Sequence, residues 1–366
     1  MTETRPPLRY SDSLEVRAPD EDETIAQIIA AMTHASEKVQ AREHRAVRAS
    51  HAKASAFLKG TLQVYDDLPP ELRQGVFAKP GRYEAAVRLA QGPGEHLPDK
   101  VHTHRGLAIK VFGVEGETLP DHDADTQDFV LATGPVFPNG TAARFLGAMK
   151  GLEAGAGGSV PDGVKAAVAA TAGALNSVVK AVTGGDSPLL DFFGHSARHP
   201  LTDCYYSQAA LRYGDYVAKI VAVPVSPGQD ALSRDPLDTD HPNVFRDATV
   251  AYFQDRDAAF EIRVQLCTDL ATMPVEDASV QWPEAESPYR PVARLVLPRQ
   301  EAMSAARGHF MNDVMSFRPG HSLAAHRPLG SLMRARLRTY PALYAFRQRQ
   351  NGEPRREPSG VAEIPD

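Results

Sequence analysis

The chain has 366 residues with a net charge of −6, and its 42% hydrophobic and 23% charged residues indicate a globular protein with a sizeable core. The acidic balance without a long basic run argues against a nucleic-acid partner, and the two cysteines, Cys204 and Cys267, form no CxxC pair that would indicate a zinc or redox site. The N-terminus has no apolar secretory region and no apolar run reaches about 18 residues, so we expect a cytoplasmic protein without a transmembrane segment.

The first part of the chain predicts an arm, one helix and a group of strands. Residues 1–20 are rich in proline and charge, which predicts a flexible arm. Apolar residues recur at helical spacing over 22–43, which predicts a helix. Short β-type runs bounded by Gly, Pro and Asp follow at 86–90, 106–114 and 128–134.

A glycine-rich segment separates these strands from a second group. The segment begins at about residue 151 with a composition typical of a flexible loop, and 163–182 has a helical pattern. The second group of strands is predicted at 218–225, 258–267 and 291–298. Because these strands do not alternate regularly with helices, we expect an α+β fold with a mainly antiparallel sheet and added helices.

The C-terminal part predicts an arginine-rich helix. The segment from 327 to about 350 has few helix-breaking residues, and its arginine-rich helical pattern follows Met333. The polar, proline-rich residues 351–366 predict a disordered tail. Arg336 and Tyr340 lie four residues apart, so on a helix they share a face. A guanidinium beside a phenol favours the phenolate, which is a ligand suited to ferric iron. By spacing alone, such a pair is more often surface packing.

Five blocks, in order, carry a resemblance to the haem catalases. The quoted blocks are RAVRASHAKASAFLKG (45–60), AAVRLAQGPGE (85–95), THRGLAIKVFGVEGE (103–117), DFVLATGPVF (128–137) and the RLRTYPALYAFR segment (336–347). The first resembles the family's Arg-x-x-His segment, and the last resembles its Arg-x-x-x-Tyr motif with a further arginine seven residues on. The chain is short for that family, so it resembles a compact, catalase-related branch. The resemblance implies a catalase-like antiparallel β-barrel with peripheral helices, and one haem-binding domain over 21–350.

The resemblance also implies roles for single residues. His51 would be the distal base that moves the proton of a bound peroxide. Tyr340 would be the iron ligand, which makes it both a cofactor-binding residue and the metal-binding residue. Arg336 would hydrogen-bond the phenolate oxygen. The arginines implied to pair with the propionates of haem b are Arg48, Arg88 and Arg347.

Three positions depart from the family pattern. Where catalases have a serine that bonds to the distal histidine, this chain has Ala90. At the distal asparagine the alignment, which can shift by one residue, gives Thr133, whose hydroxyl would be a shorter hydrogen-bond donor. Pro138 replaces a phenylalanine. The altered pocket makes haem binding a firmer expectation than efficient disproportionation of hydrogen peroxide, and it makes peroxidase action a serious competitor.

The resemblance implies a haem-dependent oxidoreductase that consumes hydrogen peroxide or organic hydroperoxides, possessing catalase or peroxidase activity. An organic reductant is a possible partner, and catalase relatives suggest a homo-oligomer. Two alternatives stay open: rearrangement of fatty-acid hydroperoxides, as in allene oxide synthase-like members, and haem binding without turnover. The pair His102 and His104 has the spacing of metal ligands on a strand, but no third ligand accompanies it in the sequence.

Overall fold

The strands form a closed antiparallel barrel. The computed structural model describes residues 5–155, 162–183, 188–232 and 236–366. The strands of these residues are β1 Ala54–Val64, β2 Gly81–Gln91, β3 Arg105–Phe112, β4 Thr126–Thr133, β5 Tyr205–Tyr206, β6 Leu211–Tyr213, β7 Tyr216–Pro224, β8 Ala258–Leu266 and β9 Arg290–Leu297. Their order is β5-β4-β3-β2-β1-β9-β8-β7-β6, and β5 also pairs with β7. This pairing closes eight strands into a ring, with β6 attached to β7.

Strand alternation divides the barrel side chains into an inner and an outer set. Leu89 of β2, Leu107 of β3 and Leu131 of β4 are buried in the main core. Their neighbours Arg88, Ala108 and Val130 lie on the opposite face, because successive strand residues point to opposite sides. The outer face of β2, β3 and β4 is therefore available for contact with the helices.

Helices cover the outside of the barrel. They are α1 Glu21–Glu43, α2 Ala142–Gly155, α3 Asp162–Thr183, α4 Pro188–Phe193, α5 Pro227–Leu232, α6 Val244–Phe253, α7 Ala305–His309 and α8 Ser331–Asn351. A single π-helical turn, Phe310–Val314, follows α7. The C-terminal helix α8 packs against α1 and α2. None of the helices in the described ranges is both long and apolar enough to span a bilayer.

The predicted helices and the two predicted groups of strands are confirmed, and the α+β fold is an eight-stranded antiparallel barrel with surrounding helices. The loop expected from about residue 151 differs in its first residues, because α2 continues to Gly155. The rest of that loop, 156–161, lies outside the described residues. Sequence reasoning missed the short helices α4, α5, α6 and α7, because each has ten residues or fewer, too short a segment to show a clear helical period.

A buried ion-pair network fixes the first half of α8. The Arg334 guanidinium donates to Glu21 of α1 at 2.7 Å and to Glu276 at 2.9 Å, and it also contacts Glu15. Because Arg334 is only 8% exposed, its charge requires this compensation. The network sets the position of α8, which carries Arg336 two residues after Arg334.

Both terminal segments, for which the sequence predicts flexibility, make contacts with the barrel. The amide of Leu8 donates to the carbonyl of Cys267 at 2.7 Å. At the other end, Ile364 is buried and the Nε of Arg307 donates to the carbonyl of Pro365 at 3.0 Å.

Candidate functional site

A cavity lies between the outer face of strands β2 to β4 and helix α8. Its volume is about 270 Å³, counted for the centres of water-sized molecules. The segment before β1 and several residues of α1, α2 and α4 complete its walls. The polar, aromatic and small residues of its lining include Arg48, His51, Arg88, Ala90, His104, Gly106, Ala132, Arg318, Arg336, Tyr340, Tyr344 and Arg347.

Arg336 and Tyr340 form a hydrogen-bonded pair on the α8 wall. The guanidinium of Arg336 donates to the phenol oxygen of Tyr340 at 2.9 Å. Its carbon atom also lies 5.2 Å from the centroid of the Tyr340 ring. The contact expected from their spacing of four residues is therefore present. It places positive charge directly beside a phenol oxygen that is half-buried at the cavity.

Arg48, Arg88 and Arg347 form a second group, here called the arginine cluster. Arg48 donates to the carbonyl of Met311 at 2.7 Å, but its Nε is buried without a partner. Arg347 is 5% exposed, and neither its Nε nor one of its terminal nitrogens has a partner. Within the described ranges, no carboxylate forms an ion pair with any of the three. The cluster therefore holds buried donors without acceptors.

The electrostatics of the arginine cluster indicate uncompensated charge. Burial, followed by the positive charge of Arg48, lowers the pKa of Arg347 to about 9. Burial and then the charges of Arg48 and Arg347 hold the pKa of Arg88 well below its usual range. Since a guanidinium stays protonated in proteins, these shifts mean that the charged forms are destabilised until an anion arrives. A ligand with carboxylates would satisfy both the charge and the free donors.

His51 enters the cavity from the segment before β1. Its backbone is left-handed, with φ at 51°, a conformation that is uncommon for residues other than glycine. Two hydrogen bonds hold it: the amide of His51 donates to the carbonyl of Gly92 at 2.9 Å, and its carbonyl accepts from Arg88 at 2.8 Å. Arg88 thus positions the His51 backbone, a role beyond the charge pairing expected of it.

The surroundings of the His51 imidazole disfavour its protonated form. Burial, followed by the neighbouring His104 and Arg88, holds the pKa of His51 well below its usual value. Its Nδ1 is buried without a hydrogen-bond partner. Ala90 of β2 has only a methyl side chain, so no side-chain oxygen from that position contacts the ring, while a hydrogen bond with the Ala90 backbone opposes the lowering of the His51 pKa. The neutral ring keeps a lone pair with which to accept a proton.

The structure does not bring Thr133 into the cavity. Ala132 lines the cavity, and its strand partner is Gly106, whose other partner is Ala90. Thr133 is one residue further on β4 and therefore points to the other face of the strand. There its hydroxyl accepts a hydrogen bond from the amide of Arg105 at 3.0 Å. The Thr133 hydroxyl is thus engaged in a structural hydrogen bond and does not face the cavity.

The site contains residues that sequence reasoning did not select. His104 lines the cavity, and its ring stacks on Phe192 of α4 with centroids 3.9 Å apart. Its sequence neighbour His102 instead bonds through Nδ1 to the carbonyl of His195. The sequence spacing of the two histidines suggests only a metal site and does not indicate that one of them lines this cavity. Arg318 and Tyr344 also line the cavity, and the guanidinium carbon of Arg318 lies 4.6 Å from the centroid of the Tyr344 ring.

Comparisons with known proteins bear on the fold. No family model and no curated protein sequence matches the chain. One similar solved structure is a fungal catalase, with 18% sequence identity and a TM-score of 0.57 over 84% of this chain and 60% of that one. Catalase A from Saccharomyces cerevisiae has 17% identity and a TM-score of 0.60 over 95% of this chain and 68% of its own. A bacterial catalase has 15% identity and a TM-score of 0.58 over 86% of this chain and 60% of its own. This chain thus spans 60 to 68% of the length of these catalases. The protein has a catalase-like fold, an eight-stranded antiparallel β-barrel with surrounding helices.

Proposed function

We propose that the cavity binds haem b and that the protein is a haem-dependent oxidoreductase that consumes hydrogen peroxide or organic hydroperoxides. The observation that carries this proposal is the joint presence of the arginine cluster and the Arg336–Tyr340 pair in one cavity of a catalase-like fold. Anionic groups and a metal ion would each find a matching partner there.

The residues fit the cofactor in two respects. The partnerless nitrogens of Arg48 and Arg347 are donors for the two propionate groups that haem b carries. The phenol oxygen of Tyr340 is the candidate ligand of the iron, and the hydrogen bond from Arg336 would stabilise negative charge on it. When bound, ferric haem would supply a redox-active, Lewis-acidic iron to which a peroxide oxygen can bind.

The protein residues would then manage the proton of the hydroperoxide. His51 is a neutral base in the cavity and would take the proton from one peroxide oxygen and return it to the other. Arg88 holds the His51 backbone in position. Ala90, Gly106 and Ala132 present no side-chain donor beside it. We infer that this surface favours peroxidase action with an organic reductant over rapid disproportionation of hydrogen peroxide.

Turnover of a few substrates tests the reaction. We expect the haem-loaded protein to oxidise a phenolic dye with hydrogen peroxide faster than it releases oxygen from hydrogen peroxide alone. Dye oxidation is measured by absorbance and oxygen by electrode, both per bound haem. Oxygen release as the dominant outcome would support catalase action instead. Haem uptake without turnover of either kind would instead support the alternative that the protein binds haem without catalysis.

A second candidate is the rearrangement of organic hydroperoxides such as those of fatty acids. The observation in its favour is the apolar side of the cavity, where the rings of Phe137, Phe145 and Phe192 are among the lining residues. These rings would accommodate an alkyl chain. A fatty-acid hydroperoxide consumed without any reductant, with a change in its ultraviolet spectrum, would indicate this reaction rather than peroxidase action.

Replacing Arg347 should change stability and haem affinity in opposite directions. We expect Arg347→Leu to raise the free energy of unfolding of the haem-free protein by about 1–3 kcal/mol, because it removes a buried, unpaired charge. We also expect it to weaken haem binding by about tenfold or more, because a charge-assisted hydrogen bond to a propionate is lost. Chemical denaturation and haem titration measure the two effects.

Arg307→Leu is the matched control for Arg347→Leu. Arg307 is 2% exposed, but its guanidinium donates to the carbonyl of Phe57 at 3.1 Å and to Asp366 at 3.0 Å. Its removal should destabilise the protein and leave haem affinity unchanged, because it lies outside the cavity. If Arg347→Leu destabilised the haem-free protein as Arg307→Leu does, the proposal that the arginine cluster is an unoccupied binding site for anionic groups would be wrong.

A further inference from the structure

A second imidazole lies beside His51 in the cavity. The rings of His51 and His104 have centroids 5.2 Å apart and meet edge to face at 83°. Both rings line the cavity. His104 is held from behind by Phe192, whose ring is nearly parallel to it at 14°. Its position is therefore fixed by packing as well as by the strand that follows.

Two glycines make room for the two rings. A Cβ atom at Gly92 would lie 2.2 Å from Cε1 of His104 and 2.5 Å from its Nε2. A Cβ atom at Gly106 would lie 2.8 Å from Nδ1 of His51. Contacts below 3 Å would displace the imidazoles, so any larger residue at either position is incompatible with the observed pair. The local backbone thus accommodates both imidazoles at once.

The hydrogen bond of His104 defines its chemical state. Its Nδ1 lies 3.3 Å from the carbonyl oxygen of Phe192, and a carbonyl oxygen only accepts, so Nδ1 carries the proton. Burial lowers the pKa of His104 to about 4, with His195 also lowering it and the Phe192 carbonyl and Asp191 opposing the shift. A neutral ring with its proton on Nδ1 leaves Nε2 as a hydrogen-bond acceptor.

The facing positions of strands β2, β3 and β4 carry small apolar residues. Ala90, Gly106 and Ala132 occupy paired positions on three neighbouring strands, and none has a polar side chain. The hydroxyl of Thr133 is turned away from the cavity and bonded to Arg105. The imidazole of His104, packed edge to face against His51, therefore supplies a nitrogen with which a ligand beside His51 could bond.

We propose that His104 is a second substrate-binding imidazole, whose Nε2 accepts a hydrogen bond from the O–H group of hydrogen peroxide that does not give its proton to His51. This inference rests on the proposed function and deepens it. It makes the cavity selective for hydrogen peroxide, which has two O–H groups, over an alkyl hydroperoxide, whose single proton goes to His51. The carbonyl of Phe192 acts through His104 by fixing its tautomer.

Three variants test the proposal in the haem-loaded, full-length protein. His104→Phe keeps a ring that can stack on Phe192 but removes both nitrogens, and His104→Gln keeps an acceptor oxygen. His102→Phe removes a neighbouring imidazole that bonds to the His195 carbonyl. Rapid-mixing absorbance gives the second-order rate constant with hydrogen peroxide and with tert-butyl hydroperoxide. Haem content and thermal unfolding are recorded for each variant.

We expect His104→Phe to lower the rate constant with hydrogen peroxide by about tenfold at unchanged haem content, as the loss of one hydrogen bond predicts, and to leave the rate constant with tert-butyl hydroperoxide within twofold of the parent. His104→Gln should recover part of the loss, and His102→Phe should stay within twofold of the parent protein with both substrates. A His104→Phe rate constant with hydrogen peroxide within twofold of the parent, or an equal loss in His102→Phe, would overturn the proposal.

A second measurement does not depend on haem. Nitrogen-15 NMR of histidine-labelled, haem-free protein should show His104 neutral at pH 7 with its proton on Nδ1. Finding the proton on Nε2 would overturn the inference even if the protein binds haem and reacts with peroxide. If the parent protein takes up no haem, the proposed function fails while this measurement still decides the state of His104.

Discussion

Tyr340→Phe is expected to bind haem at least about 100-fold more weakly than the parent protein. The variant removes the oxygen that we propose as the iron ligand, and changes in the partners of a metal ligand alone typically weaken binding 10- to 100-fold. Any haem that still binds should lack the charge-transfer absorption typical of tyrosinate bound to ferric iron. Haem titration and visible absorption spectroscopy measure the two effects.

Tyr344→Phe is the matched control for the iron ligand. Tyr344 lies one turn later on α8, lines the same cavity, and donates its hydroxyl to the carbonyl of Val314 at 2.6 Å. Its replacement should lower the free energy of unfolding by about 1 kcal/mol through the lost hydrogen bond and leave the haem spectrum unchanged. An unchanged spectrum and affinity in Tyr340→Phe would show that Tyr340 is not the ligand.

His51→Ala is expected to retain haem and to react with hydrogen peroxide about 10²- to 10⁴-fold more slowly. This range is typical for the removal of a positioned general base. Because burial holds the pKa of His51 well below its usual value, its basic form persists on acidification. The rate constant of the parent protein should therefore stay level from pH 8 to pH 6. Rapid mixing across this pH range, normalised to bound haem, measures both effects.

His326→Ala separates the loss of a base from the loss of any buried histidine. His326 is 2% exposed, and its Nε2 accepts a hydrogen bond from the amide of Val76 at 2.9 Å, outside the haem cavity proposed here. This variant should be less stable but should react with peroxide at the parent rate per bound haem. If His51→Ala also kept the parent rate, His51 would not be the base.

The elements that local sequence patterns specify were predicted well. Helix α1 and the strands that follow Gly and Pro boundaries appear as expected. The Arg336–Tyr340 contact also followed from spacing, because residues four apart on a helix meet on one face whatever the rest of the fold does. The order of the sequence blocks further predicted the barrel that the solved catalases share.

The predictions are weaker for features that depend on strand register or on contacts between residues far apart in the sequence. The alignment gives Thr133 as a cavity residue, yet the side chains of β4 that face the cavity are Val130 and Ala132. A shift of one residue reverses the face of a strand, and the sequence alone did not fix that shift. The importance of His104 was equally hidden, since its partners Phe192 and His51 are 88 and 53 residues away along the chain.

The sequence by itself determined the types of residue available for the chemistry, the helix that pairs Arg336 with Tyr340, and the general class of the fold. Only the tertiary structure decided which strand face lines the cavity, which nitrogens of the arginine cluster lack partners, and that a second imidazole stands beside His51. The physical reason is that helix spacing is set by neighbouring residues, whereas strand register, burial and unpaired charge depend on segments that meet only after the chain has folded.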